Sequence, residues 1–86
     1  MLFRSIMLAV LPLENLGDPE DEYFADGITE EITTNLAKLS GLGVISRTSS
    51  MQYKSSNKNL KQIGKELKVD FILEGTIRWE IGRAHV

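Results

Sequence analysis

Cysteine is missing from all 86 residues, which excludes a disulfide framework, a thiol nucleophile and a cysteine-ligated zinc ribbon. Histidine occurs once, at His85, so the commonest general base is available only beside the C-terminus. Long apolar runs are also lacking. The longest, Ile6 to Leu11, reaches Pro12 after six residues, short of the roughly 7–15 of a signal-peptide core and of the about 20 that span a membrane. No small-x-small cleavage site follows it. A basic excess is absent too: the formal charge of -2 argues against general nucleic-acid binding, which needs clustered cations to neutralise phosphates. Length sets the last limit. A chain this short builds one domain around one core and buries only about 60% of its unfolded surface, so the loss of one strand or helix leaves it marginal.

The charge that is present is unevenly spread. Glu14, Asp18, Glu20, Asp21, Glu22, Asp26, Glu30 and Glu31 crowd the first third, and Arg47, Lys54, Lys58, Lys61, Lys65 and Lys68 follow. The ordinary reading is a pair of solvated surfaces of opposite sign; the alternative is a docking surface.

The two ends read as foreign to the rest. Met1 to Ser5 is what GTG CTC TTC CGA TCT encodes with GTG as the start codon, and Ile81 to Val86 is what ATC GGA AGA GCA CAC GTC encodes. Both match a common short-read sequencing adapter, one on each strand. Residues 1–5 and 81–86 are therefore expected to be adapter-derived and the genuine segment to be Ile6 to Trp79. That removes His85, Arg4 and Arg83 from any site. Ordinary genomic codons continuing through both ends in the nucleotide record would refute the assignment.

Within Ile6 to Trp79 the hydrophobic pattern gives the order β-α-β-α-β. Ile6 to Leu13 is a continuous apolar run, as in a strand buried on both faces. Asp18 before Pro19 is a helix N-cap followed by a first-turn proline. Ile28, Ile32, Leu36 and Leu39 share one face of a main helix that ends near Ser40-Gly41. Leu42 to Arg47 reads as a second strand closed by Thr48-Ser49-Ser50, with a loop through Asn57. Leu60, Ile63, Gly64 and Leu67 mark a second helix capped by Asn59. Phe71, Leu73, Gly75, Ile77 and Trp79 alternate with more polar residues as a third strand. The expected fold class is α/β, a small three-stranded sheet with two helices packed on it, incomplete at the C-terminus.

Three blocks of this pattern resemble one family. Ala9 to Leu16, Gly17-Asp18-Pro19-Glu20, and Glu22-Tyr23-Phe24-Ala25-Asp26-Gly27-Ile28-Thr29-Glu30-Glu31 are similar to the signature of the TolB-like N-terminal domain. Ile45 to Ser49, Ile63 to Leu67 and Val69 to Arg78 agree with its later blocks. The pattern departs at Leu13, where phenylalanine is usual, and in the Asn15 to Asp18 turn, which is one small residue shorter. The resemblance covers 6–79 as a partial domain and implies a non-catalytic module related to FlgO-like proteins and to the N-terminal domain of TolB. It implies parents such as class III adenylate cyclases, winged-helix regulators and Ser/Thr kinases, commonly followed by tetratricopeptide repeats. A membrane span often precedes the domain in such parents, which allows an inner-membrane anchor with this domain periplasmic and equally a cytoplasmic placement, so the resemblance leaves the side of the membrane open. The implied partners are proteins, either the neighbouring repeats or envelope and signalling components, with no nucleic acid, cofactor or membrane span in this segment.

Candidate chemistry is thin. Asp18, Glu20 and Glu22 alternate like calcium ligands, but Pro19 and the lack of a loop glycine and distal glutamate spoil the match. Arg47-Thr48-Ser49 offers a guanidinium and hydroxyls to an anion or peptide, without the glycine-rich run of a Walker loop. Its default role is a strand end, and that of Asp26 beside Gly27 is a local cap or turn. Asp26, Gly27, Arg47, Thr48 and Ser49 make up the candidate interaction surface; no catalytic or metal residue is assigned. Lysines on the second helix lack the preceding helix of a DNA-reading motif. The alternative function is a fragment of a multidomain cyclase or kinase whose catalytic domain lies outside these residues.

Overall fold

The computed structural model describes the backbone of residues 6–80 and 83–86. It is an α/β fold with a small parallel sheet and helices packed on it. Strand β1, Ile6–Val10, lies between β3, Leu42–Val44, and β4, Phe71–Leu73, and pairs parallel with both. A central strand in a parallel sheet is covered on both faces, which is why an unbroken apolar run fits here. Ala9 and Val10, pointing to opposite faces, are both buried.

Helix α1, Glu22–Ala37, connects β1 to β3; the short α2, Arg47–Met51, and α3, Leu60–Leu67, connect β3 to β4 on the other side of β1. The two crossovers run in opposite directions, and right-handedness then places α1 and α3 on opposite faces. Two separate cores result. Leu11, Tyr53 and Ile63 pack with Leu67 and Ile72, and Leu13, Ala25 and Ile77 pack with Phe24, Ile28 and Ile32.

Leu11 and Leu13 stand two residues apart, so a regular strand would send them to the same face. A register change separates them. Val10 pairs with Leu73, an offset of 63, whereas Glu14 in β2, Glu14–Asn15, pairs with Thr76 in β5, Thr76–Glu80, an offset of 62. One extra residue is accommodated around Pro12, which has no N–H to give to a ladder. Beyond it Leu13 turns into the α1 core. Its buried N–H donates to Thr29 Oγ1 at 2.9 Å, and the same hydroxyl donates to the Ala25 carbonyl at 2.9 Å.

Local signals fall largely where the sequence puts them. Asp18 Oδ1 accepts from the Glu20 N–H at 2.9 Å and opens a 3-10 turn, Pro19–Asp21, before α1. Asn59 Oδ1 accepts from the Gln62 N–H at 2.8 Å and starts α3. Gly41 adopts φ +80°, in the turn between α1 and β3. Helix α3 closes with Lys68 at φ 57°, a left-handed residue without the usual glycine, as the Val69 N–H reaches back to the Gly64 carbonyl.

Three expectations need correction. The second strand stops at Val44, because Ser46 turns the chain and caps α2, so Arg47-Thr48-Ser49 is the first turn of a helix rather than a strand end. The third strand is broken at Glu74-Gly75 into β4 and β5, opposite the Pro12 irregularity. Leu39 lies past the end of α1 and is exposed, and Leu60 at the start of α3 is 41% exposed, so neither joins the core. Strand β5 pairs antiparallel with β6, Arg83–His85, and β4 has β1 as its one neighbour among the described residues. Trp79 lies on the sheet face and is 43% exposed, edge-on to Phe24 with ring centroids 4.6 Å apart. No described helix is long and apolar enough to cross a membrane.

Candidate functional site

Helix α1 carries Glu22, Asp26 and Glu30 at intervals of four, so the three carboxylates form a row along one side. Opposite them runs the connection from β3 to α3. Lys54 Nζ reaches both Asp26 carboxylate oxygens at 2.9 and 2.7 Å and Glu22 Oε2 at 3.0 Å. Arg47 Nε approaches Glu30 Oε2 at 3.6 Å, with both side chains more than half exposed. The Lys54 ammonium is half-buried, and the hydrogen bonds it donates to Asp26 and then Glu22 hold its pKa above the ordinary 10.5 against the opposing effect of desolvation.

The far side of the same connection is tied to α3. Tyr53 is buried, and its hydroxyl donates to Glu66 Oε1 at 2.7 Å. Lys58 Nζ donates to both oxygens of the same carboxylate at 2.9 Å. The hydrogen bonds from Lys58 and then Tyr53 keep the Glu66 pKa below 4.5, while Glu66 raises that of the Tyr53 phenol above 10.0.

Between these ties lies a polar crevice of about 570 Å³ beyond the carboxyl ends of β1 and β4, bordered by Leu13, Glu14, Glu22, Tyr53, Lys58 and Glu74. Ligands of open α/β sheets commonly occupy that end of the strands. Here the cations that face it are already engaged by Asp26, Glu22 and Glu66.

The candidate surface is thus only partly brought together. Asp26 and Arg47 both belong to the α1 ion-pair row. Gly27 is exposed on α1, and a Cβ there would meet nothing within 4 Å, so packing does not require glycine. Thr48 is exposed. The Ser49 N–H donates to Ser46 Oγ at 3.3 Å, so the capping serine and not a bound anion takes that donor. Ser50 is buried with no hydrogen-bond partner for its hydroxyl among the described residues. Asp18 caps its turn and Glu22 holds Lys54, so the alternating acids diverge rather than gather around a cation.

Sequence reasoning missed Lys54, Tyr53, Lys58 and Glu66, the residues that fix the long connection. One signal was available: Tyr53 is an aromatic residue inside a run of Ser, Asn, Gln and Lys, and an apolar ring in a polar loop commonly marks a point where the loop enters the core.

Comparison with known proteins gives one curated relative, named "Putative adenylate cyclase 3", from Rhizobium meliloti (strain 1021). The two are 49% identical over 80 residues, which is 92% of this chain and 14% of the relative. The chain therefore spans a small part of the length of the relative it matches. No family model matches, and no solved structure matches.

Proposed function

We propose that this chain is a non-catalytic interaction or sensory module of a larger bacterial signalling protein, of the TolB-like N-terminal type, joined in its parent to an adenylate cyclase domain. The observation that carries the reading is the match itself, which takes in nearly all of this chain and a small part of a protein named as a cyclase. The chemistry supports it. The ionisable side chains gathered between α1 and α3 hold one another, and Ile6 to Trp79 contains neither a thiol nor an imidazole to act as nucleophile or base. Its partners are proteins, either neighbouring tetratricopeptide repeats or envelope and signalling components. The enzyme reading is compatible with this one, provided the catalytic domain lies elsewhere in the parent.

Two measurements test it together. The purified chain gives background in cyclase, kinase and ATPase assays, and removal of the matching segment from the relative leaves cyclase turnover in place while changing its control. ATP turnover by the chain alone overturns the proposal.

A further inference from the structure

We propose that residues 52–58 form a charge-latched strap across the carboxyl ends of the sheet, which swings open as a unit while both hydrophobic cores stay folded.

Helices α1 and α3 lie on opposite faces of the sheet, and the connection from β3 to α3 passes between them at the strand ends. Within it, residues 52–58 reach both helices. Lys54 holds Asp26 and Glu22 on α1, while Lys58 and Tyr53 hold Glu66 on α3. The segment is bounded by α2, which ends at Met51, and by the Asn59 cap that starts α3. Those two points are pivots for the residues between them.

The attachments of the segment to the rest of the fold are few. Its backbone bonds are local: the Tyr53 N–H donates to the Ser50 carbonyl at 3.1 Å, and those of Lys54 and Ser56 donate to the Met51 and Tyr53 carbonyls at 3.0 Å. None of them reaches a strand among the described residues. Tyr53 is buried, Lys54 is half-buried and the other five residues are exposed. Ser55 adopts the left-handed conformation at φ 60° without being glycine, a cost borne by the closed form. Closure therefore rests on one buried ring and two groups of partly solvated ion pairs, each of which contributes little and is weakened by salt. Helices α1 and α3, by contrast, send apolar side chains into the two cores. A segment with few buried contacts and exposed backbone bonds opens at lower free energy than the fold as a whole.

Opening has a defined consequence at the strand ends. It withdraws the Tyr53 ring from Leu11 and Ile63, frees the carboxylates of Asp26, Glu22 and Glu66, and widens the polar crevice of about 570 Å³. Access to that crevice is then set by the ion pairs, and whatever competes for those carboxylates raises the open population.

The test is native-state hydrogen exchange on the full chain, followed by nuclear magnetic resonance. The amides of Tyr53, Lys54 and Ser56 are expected to be at least about tenfold less protected than those of β1, whose exposure requires the sheet to unfold. Added salt speeds exchange in the strap, and Lys54→Met speeds it about fivefold and reduces the salt effect. Thr29→Val separates local opening from global unfolding. The hydrogen bond it removes, from the Leu13 N–H at 2.9 Å, lies outside the strap and is lost equally from the closed and open forms. The variant therefore speeds exchange in β1 and leaves the strap amides unchanged. Strap amides as protected as those of β1, strap rates that rise with Thr29→Val as far as those of β1, or strap rates indifferent to both salt and Lys54→Met overturn the inference. The proposed function stands or falls separately, on ATP turnover by the chain.

Discussion

The chain has two sets of basic residues that look alike in the sequence and behave differently in the fold. Arg47, Lys54 and Lys58, between β3 and α3, each face a carboxylate, and their partners Glu30, Asp26 and Glu66 lie on helices to either side. Lys61, Lys65 and Lys68, on α3, line a groove beside an unpaired strand edge and meet no carboxylate among the described residues. The first set holds the long connection in place. The second makes no such tie among the described residues. Charge in a small domain thus divides into charge tied into the fold and charge left to solvent, and pairing in three dimensions, not clustering along the chain, separates them. Changes on the α1 side should cost stability, and changes beside β4 should cost little.

The largest effect expected is at Thr29. Its hydroxyl is the acceptor for the buried Leu13 N–H at the register change that divides the two cores. Thr29→Val keeps the shape and orphans that donor, so the substitution should destabilise by about 1–3 kcal/mol, read as a fall in the denaturant midpoint. Thr29→Ser retains the acceptor and should cost less. Equal losses for the two variants would show that the methyl packing, not the hydrogen bond, is what matters there.

Lys54 gives the next largest. Lys54→Met removes the partner of Asp26 and Glu22 and should cost about 1 kcal/mol, less in high salt because the group is only half-buried. Lys65→Met on the other side should change the midpoint by no more than about 0.5 kcal/mol, as surface substitutions without partners do. A comparable loss for both would erase the distinction between the two sets.

The elements were legible in the sequence to the extent that short-range chemistry determines them. The Asp18 and Asn59 caps, the apolar run of β1 and the α3 periodicity each follow from neighbours a few residues apart. What escaped depends on contacts far apart in the chain. The break between β4 and β5 answers an irregularity near Pro12, some sixty residues earlier, as the register offsets of 63 and 62 show. The exposure of Phe71 and Leu73 reflects where α1 stops, although the alternation that places them on the Ile77 face is visible in the sequence. The ion pairs that Asp26 and Arg47 make were not legible, because Lys54 and Glu30 come close to them only once α1 and the connection are both in place.

Lys68 sharpens the comparison from a different direction, since it belongs to the untied set and carries a backbone cost. At φ 57° it holds the left-handed position that closes α3, where a side chain costs energy that glycine avoids. Lys68→Gly should raise stability by about 0.5–1 kcal/mol after the extra entropy lost by glycine on folding is counted. Denaturant midpoints check it: a Lys68→Gly midpoint at or below that of the unaltered chain would show that the left-handed position costs lysine nothing.

The smallest effect expected is the pH dependence of the Tyr53–Glu66–Lys58 group, which is partly solvated and screened. Glu66 has its pKa lowered chiefly by the hydrogen bond from Lys58 and then by that from Tyr53. The folded chain therefore holds the Glu66 proton less tightly than the unfolded chain, so this contribution is present above the ordinary 4.5 and is lost as pH falls through the depressed value. Tyr53 has the opposite sign. Its pKa is raised by the hydrogen bond to Glu66, so its contribution is present below 10.0 and is lost as pH rises through the elevated value. Lys54, raised by Asp26 and Glu22, follows the same alkaline direction above 10.5. With respect to these three groups the chain is most stable between 4.5 and 10.0. Tyr53→Phe should abolish the phenol's share of the alkaline loss and reduce, without removing, the acid loss, because Lys58 still engages the carboxylate. Glu66→Gln should remove that acid loss altogether. Denaturant midpoints measured across the acid limb decide it: a Glu66→Gln profile that falls as steeply as that of the unaltered chain would show that the carboxylate is not what the connection leans on.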